Sequence, residues 1–424
     1  MQIESAALGL NFGGGTYRLR DYQQNAVDAG LRFFRNEHAN YGALMVLPTG
    51  SGKSLVIAGI AEGLNKPTLI FQPSKEILEQ NYEKLRAFGL QATIYSASLN
   101  SKKASGLTLA TIGSVINNKN VFSDFEYVII DECHYVNAKG GMYRDFLAEH
   151  KDKVLGMTAT PYRLVTDGFG GSILKFLTRT RPRVFEIVIH ITQNQELFDR
   201  GYLARLEYKQ SGEFDSGQLR LNSTGADYAD SSVRSYYQQI GFGDRLYNAV
   251  ADCLLKGRKN ILVFTRFIEE SQNLINRLNG VAEIVTGETP KRDRESIINR
   301  FRGGETKVVS NVGVLTHGFD FPELETVVMA RPTMSLGLYY QMIGRGIRIH
   351  PQKESTWVID LCDNYRQFGR IEDLRMHAPK PGLWIISSND RQLTNIYYGE
   401  RNFSFKNTGK QEDYRANQRQ TFNG

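Results

Sequence analysis

Cysteine is scarce: Cys133, Cys253 and Cys362 are the only three in 424 residues. They are isolated from one another, which excludes a disulfide framework and a four-cysteine zinc site. Proline is also rare (11 residues) beside 40 glycines, a balance that favours tight strand-to-helix loops over a linker-rich chain. No apolar run approaches the ~18 residues of a membrane helix, and the opening MQIESAALGL has no basic, apolar signal pattern. The expectation is therefore a soluble, cytoplasmic chain with no membrane partner. Apolar residues make up 41% and charged residues 23%, which supplies a packed core and excludes wholesale disorder. Lys and Arg exceed Asp and Glu by 52 to 45, a surplus that suits a polyanionic partner or a solvated surface.

Short apolar, β-branched runs alternate with stretches of helical period. In the first half the runs are Ala43–Leu47, Thr68–Phe71, Thr108–Thr111, Tyr127–Asp131 and Val154–Thr158. Leu55–Leu64, Lys75–Phe88 and Met142–Glu149 between them have amphipathic helical spacing. Strands that are apolar throughout, alternating with helices, predict a parallel sheet covered on both faces. The pattern stops near Leu177 and restarts with Ile261–Thr265, Ala282–Val285, Thr306–Ser310, Thr326–Ala330 and Thr356–Asp360. This predicts an α/β chain of two tandem parallel-sheet domains, 1–178 and 236–376. Between them, 179–235 reads as a connector, basic at its start and polar in Gln210–Ser232, and 377–424 reads as a short C-terminal extension with a loosely ordered tail.

Directly after the first strong strand stands Leu47-Pro48-Thr49-Gly50-Ser51-Gly52-Lys53-Ser54, and a helical pattern begins at once. That is the context a phosphate-binding loop needs: glycines turn successive N–H groups inward, and the helix N-terminus adds its positive end. Lys53 supplies a point charge for the β- and γ-phosphates of ATP, and the Ser54 hydroxyl is a ligand for Mg²⁺. Tyr127–Asp131 ends in Asp131-Glu132-Cys133-His134, two carboxylates at a strand end. Asp131 can hold Mg²⁺ through its water shell, and Glu132 can take the proton of an attacking water. Late in the chain Gln341, Arg345 and Arg348 stand at i, i+4 and i+7, the spacing of one helix face. Two guanidiniums and an amide there suit a clamp on a γ-phosphate, with Gly344 and Gly346 admitting a close partner.

Together these residues resemble the superfamily 2 nucleic-acid-dependent ATPases of the DEAD/DEAH-box kind, with DECH as the box. The resemblance spans about Leu19–Asp363 and implies two RecA-like domains with a cleft between them. Arg20-Asp21-Tyr22-Gln23 resembles the family's upstream glutamine motif, implying that Gln23 reads the adenine edge. Phe71–Glu76 and Thr111–Ser114 resemble motifs Ia and Ib, and Thr158-Ala159-Thr160-Pro161 resembles motif III. Val263–Arg266, Asn311–Pro322 and Gln341–Arg348 resemble motifs IV, V and VI. The likeness implies Thr49, Gly50, Ser51, Gly52, Lys53, Ser54, Gly318 and Asp320 at the nucleotide, and Gln341 positioning the attacking water. It implies Arg345 and Arg348 on the transferred phosphate and His134, Thr158 and Thr160 as coupling residues. Ser74, Lys75, Ser114, Thr265, Arg266 and Thr316 are the expected contacts to nucleic-acid phosphates, independent of sequence.

Within the superfamily, the phrase from Asn311 to Pro351 followed by Val358–Asn364 is most similar to RadD-like bacterial repair helicases and related phage helicases. His317 stands where those relatives commonly carry an acidic or small residue, and no cysteine follows Cys362, so their four-cysteine C-terminal module is missing. In its place Tyr397, Tyr398, Arg401, Phe403, Phe405 and Lys406 interleave aromatic and basic residues. These either stack on single-stranded bases or pack onto the second domain. Three functions follow from the resemblance: a DNA helicase in repair, recombination or replication of a bacterial or phage-infected cell; an RNA helicase; or a translocating module that recruits a protein partner through 179–235 or the extension.

Overall fold

The computed structural model describes residues 18–137, 139–149, 153–166, 172–210, 214–316, 319–395 and 397–398. Two sheets organise them. The first runs in the order Phe185–Ile191, Gly42–Val46, Val154–Thr158, Tyr127–Asp131, Thr68–Phe71, Leu107–Ala110, Ala92–Ser96 and Ser101–Lys102. All pairings are parallel except the last. The second runs Leu206–Gln210, Thr356–Asp360, Thr326–Ala330, Ile261–Thr265, Val308–Asn311 and Ala282–Val285, parallel throughout. Their central strands are buried residue by residue, as sheets covered by helices on both faces require. Among the described residues no helix is long and apolar enough to cross a membrane.

Register assembles the business end of the first lobe. Val46 pairs with Thr158 and Asp131 with Met157, so the loop after Val46, the carboxylates after Ile130 and the threonines after Met157 leave the sheet side by side. Loops at the carboxyl ends of adjacent parallel strands form the crevice in which such sheets bind ligands. Helix Lys53–Leu64 starts directly behind its loop, and Gly50 (φ 79°) and Gly52 (φ 81°) take left-handed conformations there. An added Cβ at Gly52 would sit 2.5 Å from Gln23 Nε2.

The stretch read as a connector is built into both sheets. Phe185–Ile191 pairs with the phosphate-loop strand, and Leu206–Gln210 pairs with Thr356–Asp360. Both are edge strands; Leu206–Gln210 alternates apolar and polar residues, which weakens its signal, whereas Phe185–Ile191 is largely apolar. Ahead of Ile261–Thr265 the chain forms two helices, Asp230–Gln239 and Phe242–Leu255, broken at Gly241 (φ 60°).

The lobes meet directly. Ala204 N–H donates to Ile347 O (2.8 Å), and Asn194 Nδ2 donates to Ile371 O (2.9 Å). Gln193 exchanges two hydrogen bonds with the Met376 backbone (2.7 and 3.0 Å). Beyond Leu374–His377, Ile385–Ser388 and Arg391–Gln392, which form a small antiparallel sheet, the chain returns to the first lobe. Trp384 stacks near Phe176, Asn395 N–H donates to Leu174 O (2.6 Å), and Tyr397–Tyr398 pairs with Ser172–Ile173. Arg401, Phe403, Phe405 and Lys406 lie outside the described residues, as do His317 and Gly318.

Candidate nucleotide site between the lobes

A cavity of about 240 Å³ opens at the seam. Thr49, Gly50, Gly52, Lys53, Ser54, Asp131, Glu132 and Thr160 line it from the first lobe, and Asp320, Gln341, Arg345 and Arg348 from the second. The lysine of the glycine loop and the late guanidiniums therefore share one crevice.

Lys53 Nζ is hydrogen-bonded to Glu132 Oε1 and lies 3.4 Å from Asp131 Oδ1. Burial disfavours its charge, but Glu132 and Asp131 outweigh that and hold its pKa above the usual lysine range. Burial likewise pushes Glu132 upward, and Lys53 and then His134 overturn it, leaving Glu132 well below the ordinary carboxylate value. Asp131 moves the other way, because its burial outweighs the pull of Lys53. Glu132 is thus the principal counter-ion of Lys53. Glu132 itself takes a left-handed backbone (φ 48°), unusual for a residue with a side chain.

The sequence did not single out Asn81, on helix Lys75–Ala87. Ser54 Oγ donates to Asn81 Oδ1 (2.7 Å), while Asn81 Nδ2 donates to Gln72 Oε1 (2.8 Å) and faces Asp131 Oδ2 (3.4 Å). One buried amide thus joins the hydroxyl and the carboxylate that would face a divalent cation. Hard cations take oxygen ligands, and Mg²⁺ is typically held by one or two protein oxygens plus substrate phosphates and water. Ser54 and Asp131 fit that donor set. Asn81→Ala should cost about 1–3 kcal/mol of unfolding free energy by stranding these buried partners, and a urea denaturation curve measures it.

His134 connects the lobes. Its Nδ1 lies 2.8 Å from Thr158 Oγ1, 3.1 Å from Thr160 Oγ1 and 3.3 Å from Glu132 Oε2. Gln341 Nε2 donates to its Nε2 across the seam (3.4 Å), which assigns the ring proton to Nδ1. A second bridge, also missed in the sequence, is Tyr340. Thr49 N–H donates to its hydroxyl (3.3 Å), which donates to Asn194 Oδ1 (2.8 Å). Tyr339 and Tyr340 are both buried, as core residues.

Several expectations are corrected. Helix Leu336–Ile343 ends before Arg345, so Gln341, Arg345 and Arg348 do not share a helix face; Gly344 and a following turn carry both arginines to the cavity. Gly344 faces the other lobe, an added Cβ meeting Thr49 Cγ2 at 3.3 Å, whereas Gly346 packs on Thr356 of its own lobe (2.5 Å). Arg345 is buried, and its guanidinium donates to Phe319 O (2.8 Å) and Gln341 O (3.3 Å). Burial pulls its pKa down to about 10. Arg348 is paired with Asp320.

Gln23 faces the phosphate loop instead of a base: its amide donates to Ser51 O (2.8 Å) and accepts from Arg20 N–H (3.0 Å). Thr265 is buried against Ser271 Oγ (2.6 Å). Arg266 is tied to Asp227 (3.3 Å) and Asp230 (2.8 Å), so neither of these side chains is presented to a strand. Thr316 is buried. Ser74 caps its helix by accepting from Ile77 N–H (3.3 Å), Lys75 Nζ donates to Ser98 O (2.8 Å), and Ser114 Oγ accepts from Ala97 N–H (2.9 Å).

A phosphate loop, a paired-acid strand end and guanidiniums from a second parallel sheet around one crevice define a two-lobed nucleotide-binding motor class. Comparison with known proteins agrees. The family described as type III restriction enzyme, res subunit, matches residues 16–163, and the helicase conserved C-terminal domain matches 245–350. The chain is similar to a 51.5 kDa protein of a Lactococcus phage, 28% identical over 76% of this chain and 66% of that one. It is also similar to the Saccharomyces cerevisiae protein named "Putative ATP-dependent helicase IRC3" (25%, covering 81% and 51%) and the DNA 3'-5' translocase XPB2 of Sulfurisphaera tokodaii (23%, covering 78% and 78%). The chain thus spans only 66% and 51% of the lengths of the phage and yeast relatives.

Among solved structures, the type ISP restriction-modification enzyme LlaBIII bound to DNA shares the fold at TM-score 0.59 and 18% identity, over 82% of this chain and 28% of that one. A Saccharomyces cerevisiae Dbp5 variant bound to RNA and ADP BeF3 shares it at TM-score 0.54 and 15% identity, over 82% and 84%. The chain thus resembles the superfamily 2 helicases in its two family matches and has the tandem RecA-like fold of these solved neighbours.

Proposed function

We propose that this chain is an ATP-dependent helicase or translocase that acts on DNA and hydrolyses Mg²⁺-ATP in the seam between its lobes. The observation that carries the reading is the cavity lined by Lys53 and Glu132 from one lobe and Gln341, Arg345 and Arg348 from the other. The loop amides of 49–54 and Lys53 receive the phosphates, with Ser54 and Asp131 holding Mg²⁺, which neutralises phosphate oxygens when bound. Glu132 accepts the proton of the attacking water, Gln341 orients that water, and Arg345 and Arg348 stabilise the charge that develops on the transferred group. Engagement of Arg348 requires its pair with Asp320 to open.

His134, Thr158 and Thr160 lie between Glu132 and Gln341, so departure of the γ-phosphate is transmitted across the seam through them. Alternating closure and relaxation would then move a strand held by the segments around Ser74, Lys75, Ser114 and Thr316. The functions for which relatives are named favour DNA, as in the archaeal translocase and the DNA-bound restriction enzyme. Repair, recombination or replication, in the manner of RadD-like or phage helicases, is the setting this reading implies.

ATPase rates with single-stranded DNA, duplex DNA and RNA test it. Either DNA form should stimulate turnover more than RNA does. Equal rates with and without all three would sink the reading, and stronger stimulation by RNA would move the substrate assignment. A strand-displacement assay then separates unwinding from translocation.

A further inference from the structure

Outside the nucleotide cavity, a hairpin follows Pro161 and a basic segment lies behind it. Strands Tyr162–Thr166 and Ser172–Phe176 pair antiparallel, with Arg163 directly opposite Lys175. Like charges opposite each other across a strand pair are destabilising. A short helical turn, Leu177–Arg179, then leads through Arg181 and Arg183 to the edge strand at Phe185. The run from Lys175 to Arg183 contains no Asp or Glu. Lys139, in the loop after the DECH box, completes a group of six cations. None of the six takes part in an ion pair among the described residues.

The group is costly as it stands. Burial, and then the charges of Arg179, Lys139 and Arg181, lower the pKa of Lys175. Burial, followed by Arg181 and Arg183, does the same to Arg179. A solvated charged surface intersperses both signs; here Lys175 and Arg179, both partly buried, are repelled by neighbouring cations, and no acid among the described residues is paired with them. Arg163 is anchored by donating to Val136 O (2.7 Å), and Leu177 N–H by donating to Pro161 O (2.8 Å), which fixes the hairpin beside the seam. The ring of Tyr162 lies 3.7 Å from where a Cβ on Gly337 of the second lobe would stand. Arg163 and Lys175 lie on the other face of that hairpin from Tyr162, and the group runs from there along the first lobe to the edge strand at Phe185.

We propose that Lys139, Arg163, Lys175, Arg179, Arg181 and Arg183 form a second phosphate-backbone site, which holds a nucleic-acid strand on the flank of the first lobe. It rests on the reading of the chain as a nucleic-acid motor and is distinct from the contacts expected around Ser74 and Ser114. Guanidiniums match phosphate oxygens in a planar fork, and a chain of phosphates supplies the negative charges this cluster lacks. Contacts of this kind fix position without reading sequence.

The test is the salt dependence of binding to a fluorescent oligonucleotide, single-stranded and duplex, by the full-length protein. The variant Lys175→Gln/Arg179→Gln/Arg181→Gln/Arg183→Gln should bind at least about tenfold more weakly at moderate salt. Its slope of log Kd against log salt should be shallower by about 0.7 (single strand) or about 0.9 (duplex) for each phosphate no longer neutralised. The arm with the larger change identifies the form held there. ATPase without nucleic acid should be unchanged, which also reports correct folding. The companion Arg179→Lys/Arg181→Lys/Arg183→Lys should keep most of the wild-type slope. A quadruple variant with wild-type affinity and slope would overturn the site while leaving the motor reading intact. A wild-type protein that binds neither oligonucleotide would overturn both.

Discussion

Lys53→Ala should abolish ATP turnover, with a fall of the order of 10³ or more in kcat, and weaken ATP binding. In other enzymes a single pre-organised charge-stabilising donor is worth about 10²–10³, and Lys53 is also the cation placed for both terminal phosphates. The same substitution should be visible without nucleotide. Lys53 stands between two adjacent carboxylates, Asp131 and Glu132, and removing it leaves them without the one ammonium in contact with both. Breaking one partner of such a buried pair costs about 3–5 kcal/mol; because Glu132 keeps some solvent exposure, the lower end applies here.

The pH dependence fixes the sign. Glu132 has a folded-state pKa below its unfolded value, so its contribution is present above the unfolded pKa and is lost as pH falls toward the folded one. The stability gap between wild type and variant should therefore be widest near neutral pH and shrink in acid. Urea denaturation at pH 7 and stepwise from about pH 4.5 downward follows the decline. A gap that stays constant would assign the loss to packing and remove the ion pair from the account.

Arg345→Ala should stop hydrolysis while ATP still binds. Guanidinium stabilisation of phosphoryl transfer is worth about 10³–10⁵ in rate in other NTPases, and a loss in that range is expected in kcat, with the Kd for ATP changed by less than about tenfold. Two of its N–H groups are committed to Phe319 O and Gln341 O, which leaves the rest of a five-donor fork for the cavity. Truncation also strands the Phe319 carbonyl, so some loss of stability, about 1–3 kcal/mol, accompanies it. Arg345→Lys separates the two effects. It retains a charge and the three donors of an ammonium but lacks the planar fork, so it should recover stability more fully than turnover. Near-wild-type hydrolysis by the alanine variant would remove Arg345 from the chemistry.

How much of the site is legible in sequence depends on whether chemistry or packing dictates the residue. Lys53, Asp131, Glu132, Thr158 and Arg345 sit at strand ends and turns, where the phosphate loop and its partners demand particular residue types at particular places. Those signals survive in one sequence, and the cavity gathers all of them but Thr158. Asn81 gives no such signal, because a lone Asn in an amphipathic helix looks like any solvated position until folding brings Ser54 and Asp131 to it. Tyr340 gives no such signal either, because its hydroxyl meets the phosphate loop only with the second lobe in place.

Spacing misleads once. Gln341, Arg345 and Arg348 have helical intervals, but Gly344 and Gly346 end the helix, and the turn brings both arginines round anyway. The edge strand at 206–210 is hidden by its polar residues, whereas the one at 185–191 is largely apolar and carries a strand signal. The phosphate contacts expected at Thr265 and Arg266 fail because motif likeness specifies a position in the chain and not the neighbours, here Ser271 and the acids Asp227 and Asp230, that claim its side chain.

The return of the chain to the first lobe after Ile385–Ser388 constrains how the molecule can move. One covalent passage, through 192–205, already joins the halves; the second, ending where Tyr397 pairs with Ile173, ties them again. Two objects stitched at two points swing about the line through the stitches, like the covers of a book, and have lost the freedom to twist apart. Relative movement of the lobes is thereby steered toward a hinge about that line.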